Sequence, residues 1–173
     1  MKRSVKVSSY CNEIMQALPK GVLLTTADGD KVNTMTIGWG HIGIEWGKEI
    51  FVAYVRESRF TKQMIEKTEE FTVNIPLSGC DGKILGYCGS KSGRDVDKIS
   101  QLGLTLEPSE IVGAPGIKEL PLTLECKVIY KQAQDLTAIA QEHIDRYYPA
   151  GTDGKMDGHI AYYGQIVNAY VIE

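Results

Sequence analysis

The sequence predicts a mainly β protein with a few helices, built as a closed or partly closed antiparallel barrel. Short β-prone runs recur along the chain, separated by glycine, proline and aspartate. Helical spacing appears in only two or three brief stretches, and no G-x-G-x-x-G follows a strand. That combination argues against a doubly wound parallel sheet.

The first strand signal is Gly21 to Ala27, rich in β-branched residues and closed by the turn Asp28-Gly29-Asp30. Val32 to Trp39 follows as a second strand, broken at Gly38 and Gly40, and Ile50 to Val55 is a third. Ser58 stands where an N-cap belongs. Phe60, Met64 and Ile65 behind it share one helical face, which predicts a helix from Arg59 to Lys67. Phe71 to Ile75 reads as a strand ended by Pro76, and Gly82 to Gly89 as a short helix closing on glycine. Gly89 to Asp97 is then a loop. Later strands are expected at Leu122 to Lys131 and at Ile160 to Ile172. Between them Gln134 to Tyr147 is a helix or lid, followed by a turn over Pro149 to Gly158.

With 173 residues, a chain of this size buries roughly 70% of its unfolded surface, enough for the single domain expected over 1–173. Composition is that of a soluble globular protein, 43% hydrophobic and 24% charged, with no apolar run of the roughly 20 residues a membrane helix needs. The basic N-terminus lacks the apolar stretch of a signal peptide, so a cytoplasmic location is expected. A net charge of −3 argues against a nucleic-acid-coating role. Cysteines 11, 80, 88 and 126 form no C-x-x-C pair, and His41, His143 and His159 do not cluster, so no metal site is expected.

Val55-Arg56-Glu57-Ser58-Arg59-Phe60-Thr61 delivers two arginines and two hydroxyls to a helix start. Free N–H groups there favour an anion, and Arg59 adds a planar, permanently charged donor suited to phosphate. A capped helix with two solvated arginines is the other reading. Gly89-Ser90-Lys91-Ser92-Gly93-Arg94-Asp95 is a second anion loop or a solvated turn, and it does not satisfy the triphosphate-binding pattern G-x-x-x-x-G-K-S/T. Thr34-Met35-Thr36-Ile37-Gly38-Trp39 suits either backbone approach to a flat aromatic ligand or a strand end packed in the core. No G-x-S-x-G elbow supports a serine nucleophile.

Taken in order, Asn33-Thr34-Met35-Thr36 with Trp39, Arg56-x-Ser58-Arg59-x-Thr61 and Phe71-Thr72-Val73-Asn74 resemble the flavin reductase-like family of FMN-binding split barrels. The likeness continues through Cys88-Gly89 and Ser92-Gly93-Arg94-Asp95-x-Asp97-Lys98 to Gly158-His159-Ile160, and it is nearest the flavoredoxin-type branch. The resemblance implies a six-stranded antiparallel Greek-key barrel and a homodimer with FMN at the subunit interface. By the same resemblance Asn33, Thr34, Met35 and Thr36 face the isoalloxazine ring, with Trp39 near it. Arg56, Ser58, Arg59 and Thr61 surround the phosphate, and Ser90, Lys91 and Ser92 close over the cofactor. Many members carry Gly-Asp-His-x-Ile near the C-terminus, where this chain has Asp157-Gly158-His159-Ile160. His159 is the one catalytic candidate, orienting nicotinamide or flavin, or else a polar residue at the barrel mouth. The activity implied is an NADH- or NADPH-dependent FMN oxidoreductase; the alternative is a flavoredoxin-type carrier that passes electrons to a redox protein partner. A barrel for haem or another flat ligand is disfavoured, because the arginines and hydroxyls suit phosphate.

Overall fold

Apolar residues at alternate positions of six strands meet in one core, and this dictates the curvature of the sheet. The computed structural model describes residues 1–173. In chain order its elements are β1 (Lys2–Ser4), α1 (Cys11–Ala17), β2 (Val22–Asp28), β3 (Lys31–Ile37), β4 (Gly40–Glu45), β5 (Lys48–Arg56), α2 (Phe60–Thr68) and β6 (Glu70–Ile75). The second half contains α3 (Gly82–Ser90), α4 (Lys98–Leu102), β7 (Leu106–Glu107), β8 (Gly116–Ile117), β9 (Leu122–Ala133), α5 (Gln141–Tyr147) and β10 (His159–Ile172).

The main sheet is antiparallel throughout, in the order β3-β2-β6-β9-β10-β5-β4. β1 pairs with the C-terminal end of β10, beyond the stretch that β5 occupies. Val22 and Leu24 of β2, Met35 and Ile37 of β3, Phe51 and Val55 of β5 join Phe71, Leu124 and Tyr162 in one buried cluster of 22 residues. A flat sheet would hold its first and sixth strands far apart, so a shared core requires the sheet to curl. The end strands β3 and β4 are not hydrogen-bonded to one another, which leaves the barrel split. β2, β3, β5, β6, β9 and β10 are the six barrel strands, and β1 and β4 extend them. Register shifts opposite Tyr163/Gly164, where β9 carries the extra residue Ile129, and at Ile166/Asn168, where β10 carries the extra Val167, bend the two long strands together. Gly164 is required there, since an added Cβ would fall 2.5 Å from Phe71 Cζ.

Three places depart from the sequence reading. The first twenty residues supply β1, α1 and two short 3-10 turns, and Val7, Ile14, Ala17 and Leu18 enter the main core. Gly40 opens a strand instead of breaking one, because a side chain there would strike Phe51 and Val52 O at 2.9 Å. The predicted helix or lid between β9 and β10 resolves into a 3-10 turn at Leu136–Ala138 and helix α5. On the outer face, Leu23, Cys88, Leu104, Ile117 and Leu120 form a second cluster that seats α3 and α4 against β2 and β3.

Candidate functional site

The split places one cleft between β3, the end of β5, the start of α2, the loop after α3 and the first residue of β10. Its two halves share Met35 and Arg59. One half is cationic and hydroxyl-rich, and the other is aromatic.

In the cationic half, Asn33, Ser58, Arg59, Thr61, Lys91, Ser92 and Arg94 surround the N-terminus of α2. Arg59, not Ser58, is the N-cap residue, and it caps without a side-chain bond. Ser58 is turned instead to Asp157, its N–H donating to Oδ1 at 3.0 Å and its hydroxyl to Oδ2 at 2.6 Å. Arg94 donates to Ser58 O at 3.0 Å and stacks 5.5 Å from the Phe60 ring. The Arg59 guanidinium is left facing the cleft at a helix start, where unpaired N–H groups favour an anion. Asn33 Nδ2 donates to Thr61 Oγ1 at 2.9 Å, while the buried Asn33 Oδ1 has no partner. Gly93 lies so close that an added Cβ would sit 2.0 Å from that oxygen.

The aromatic half is lined by Thr36, Trp39, Tyr54, Arg56 and His159. The Trp39 ring lies 5.0 Å from both Tyr147 and His159, and Tyr148 meets His159 edge-on at 5.5 Å. Arg56 braces this wall by donating to Asp157 O and Tyr147 O, both at 2.7 Å, with its guanidinium 5.2 Å from the Tyr148 ring. Burial, with Arg56 and Arg59 nearby and Asp157 opposing them, holds the His159 imidazole down at about 4. The imidazole is therefore neutral at pH 7. Its Nδ1 turns to Tyr148 while Ser58 and Asp157 bond to each other, so the three do not line up as a serine–histidine–aspartate relay.

The model of the family described as Flavin reductase like domain matches residues 15–173. The chain belongs to this family. An uncharacterized protein of Archaeoglobus fulgidus is 29% identical over 153 residues, spanning 87% of this chain and 85% of that one. The flavoredoxin of Methanosarcina acetivorans superposes with a TM-score of 0.65 at 26% identity, over 88% of this chain and 68% of that one. An FMN-binding domain of a flavin reductases-like enzyme from Shewanella baltica OS155 gives a TM-score of 0.68 at 16% identity, covering 99% and 77% of the two chains.

Within this flavin reductase-like domain, most of the residues singled out from sequence share the cleft, but not all in the expected arrangement. Successive strand side chains point to opposite faces, so Asn33 and Met35 turn to the cleft while Thr34 cannot. The Thr34 hydroxyl bonds Thr25 Oγ1 at 3.0 Å and Leu24 O at 3.3 Å on the other face. Thr36 borders the cleft, yet its hydroxyl donates to Leu85 O at 2.6 Å and ties α3 to β3. Ser90 ends α3 with its hydroxyl on Tyr87 O and does not line the cleft. Arg56 lies in the aromatic half, away from the helix start.

Sequence reasoning assigned no role to Lys98, Tyr54, Tyr147 and Tyr148. Lys98 is 5% exposed and lines the cationic half, donating to Thr34 O at 2.8 Å and Cys88 O at 2.9 Å. No carboxylate pairs with it, and burial, with Arg59 nearby, lowers its affinity for a proton. The signal available in the sequence was its place directly after the helix-capping Asp97. The four cysteines are free, and burial pushes the Cys88 thiol up to about 11. No group of three His, Cys, Asp or Glu residues is placed to hold a metal, and no helix is long and apolar enough to cross a membrane.

Proposed function

We propose that the cleft binds FMN and that the protein is an oxidoreductase drawing on NADH or NADPH. One observation carries this reading: a cationic helix start and an aromatic box adjoin one another across Met35 and Arg59, matching a ligand with a phosphate at one end and a flat ring at the other. The buried Asn33 Oδ1, packed against the Gly93 backbone in the wall of the cationic half, is an unpartnered acceptor beside the space a polar ligand would take. Arg59, Lys91, Ser92 and the first N–H groups of α2 would hold the phosphate. Met35, the Thr36 backbone, Trp39 and His159 would face the ring. Bound FMN supplies hydride and one-electron chemistry. The protein's share is to orient it, shield one face from water and keep a neutral imidazole at the open end.

The donor enters the same cleft in this reading, because the chain has no separate dinucleotide motif. A second reading, an electron carrier serving a redox protein partner, is supported by the 26% identity to a flavoredoxin. We read residues 1–173 as one cytoplasmic domain that pairs with a second copy. Exposed Trp46, which holds φ 50° in the β4–β5 turn, unusual for a bulky residue, lies 6.1 Å from the exposed Tyr130 ring of β9, and this aromatic pair supports a pairing surface there. Sedimentation should show a dimer.

The deciding experiment is the visible spectrum of the purified protein, followed by NADH and NADPH oxidation with FMN added. A yellow protein, or one that quenches flavin fluorescence, is expected, and turnover on nicotinamide separates reductase from carrier. A colourless protein that leaves flavin fluorescence unchanged would refute the reading.

A further inference from the structure

Gln134, Tyr148 and His159 form a hydrogen-bonded line ending at the aromatic half of the cleft. The Tyr148 hydroxyl donates to Gln134 Oε1 at 2.8 Å, and His159 Nδ1 lies 3.0 Å from the same phenolic oxygen. A phenol has one proton to give. With that proton directed at Gln134, the oxygen can only accept from the imidazole, so Nδ1 carries the ring hydrogen and Nε2 keeps its lone pair. Nε2 has no partner within the chain and is not among the sealed polar atoms, so it opens on the cleft that His159 lines.

Both ends of the line are anchored. Gln134 follows β9 and its N–H donates to His159 O at 2.9 Å, while Tyr148 ends α5 with its N–H on Ile144 O at 2.8 Å. The ring of Tyr148 is held edge-on to His159 and beneath the Arg56 guanidinium. A neutral histidine in solution exchanges freely between its two tautomers. Here the phenol selects one of them.

We propose that Tyr148 and Gln134 are positioning residues that lock His159 with its proton on Nδ1, so that Nε2 accepts a hydrogen bond from an N–H group of the ligand taken at this end. Resting on the function proposed above, that group is the carboxamide of a reduced nicotinamide. An imidazole fixed as an acceptor favours a ligand carrying an N–H over one presenting only a carbonyl.

Nitrogen-15 NMR of histidine-labelled protein without any ligand reads the tautomer directly. Wild type should show His159 Nδ1 as the protonated nitrogen and Nε2 as the bare one. Tyr148→Phe keeps the ring and removes the oxygen, so the two forms should mix, whereas Gln134→Glu keeps an acceptor for the phenol and should retain the wild-type signature. A proton on Nε2 in wild type, or an unchanged tautomer in Tyr148→Phe, would overturn the lock. A thermal melt of Tyr148→Phe separates this from a folding defect.

The second arm uses the FMN-loaded protein with NADH and with the reduced 3-acetylpyridine analogue, in which a methyl ketone replaces the carboxamide. The ratio of kcat/KM for the two donors should fall about fivefold from wild type to Tyr148→Phe, the equivalent of one net hydrogen bond. An unchanged ratio overturns carboxamide recognition. If the tautomer result stands but wild type oxidises neither donor, the nicotinamide reading fails and the lock remains.

Discussion

Arg59→Ala tests whether the helix start in the cleft reads a phosphate. Of the three arginines around the cleft, Arg56 is held by two carbonyls and Arg94 by Ser58 O, while Arg59 borders both halves with no side-chain cap bond. A charge-assisted hydrogen bond contributes about 1.5 to 3 kcal/mol, so losing one contact should weaken FMN binding by roughly tenfold to 150-fold. Riboflavin lacks the phosphate, and its affinity should hardly change. Arg59→Lys should recover part of the loss, since a point charge lacks the planar fork that grips two oxygens. Because the Arg59 side chain caps nothing, the apo-protein should shift by no more than about 0.5 kcal/mol, roughly 2 °C in Tm for a chain of this size. Flavin fluorescence quenching measures both affinities and a thermal melt gives the control. Equal losses for FMN and riboflavin, or a large fall in the apo melt, would refute the reasoning and leave Arg59 a structural residue.

Three further outcomes are expected. Gly93→Ala would place a Cβ 2.0 Å from Asn33 Oδ1, forcing the amide to turn and break its bond to Thr61, so FMN affinity should fall at least about tenfold in titration. Lys98→Met removes the donor from Thr34 O and Cys88 O, and two orphaned carbonyls outweigh the relief of a buried charge. Its urea midpoint should therefore correspond to a loss of about 1–3 kcal/mol. His159, flanked by Arg56, Arg59, Asp157 and Tyr148, is held at about 4 when folded against 6.5 for the free group, so the unfolded chain binds more protons between those values. Its contribution is present above about 6.5 and is lost as pH falls toward about 4, so His159→Gln should flatten the slope of stability against pH there in urea titrations.

The sequence by itself determined the barrel strands and the motifs that reach the cleft. β-branched runs between glycine and aspartate turns located β2, β3, β5, β6, β9 and β10 to within a few residues, because strand preference and turn chemistry are local properties. Arg59, Lys91 and Ser92 were legible for the same reason, as cations and hydroxyls beside a helix start or loop. β1 and α1 left little mark, since short segments are fixed by the core they cap and not by their own periodicity. Only the tertiary structure decided which side of each motif faces the ligand. The pleat of β3 sends the Thr34 hydroxyl to Thr25 while Asn33 and Met35 meet the cleft. The chain crossing from α5 to β10 engages Arg56 with the backbone carbonyls of Tyr147 and Asp157 and brings Tyr148 to His159. Lys98 is the same case: in the sequence it is only the last residue of the Ser92–Lys98 motif, and it becomes a buried donor because α3 and α4 fold onto β3 around it. These outcomes depend on which partner each polar group meets across the fold, and contacts between residues far apart in sequence carry no local signature.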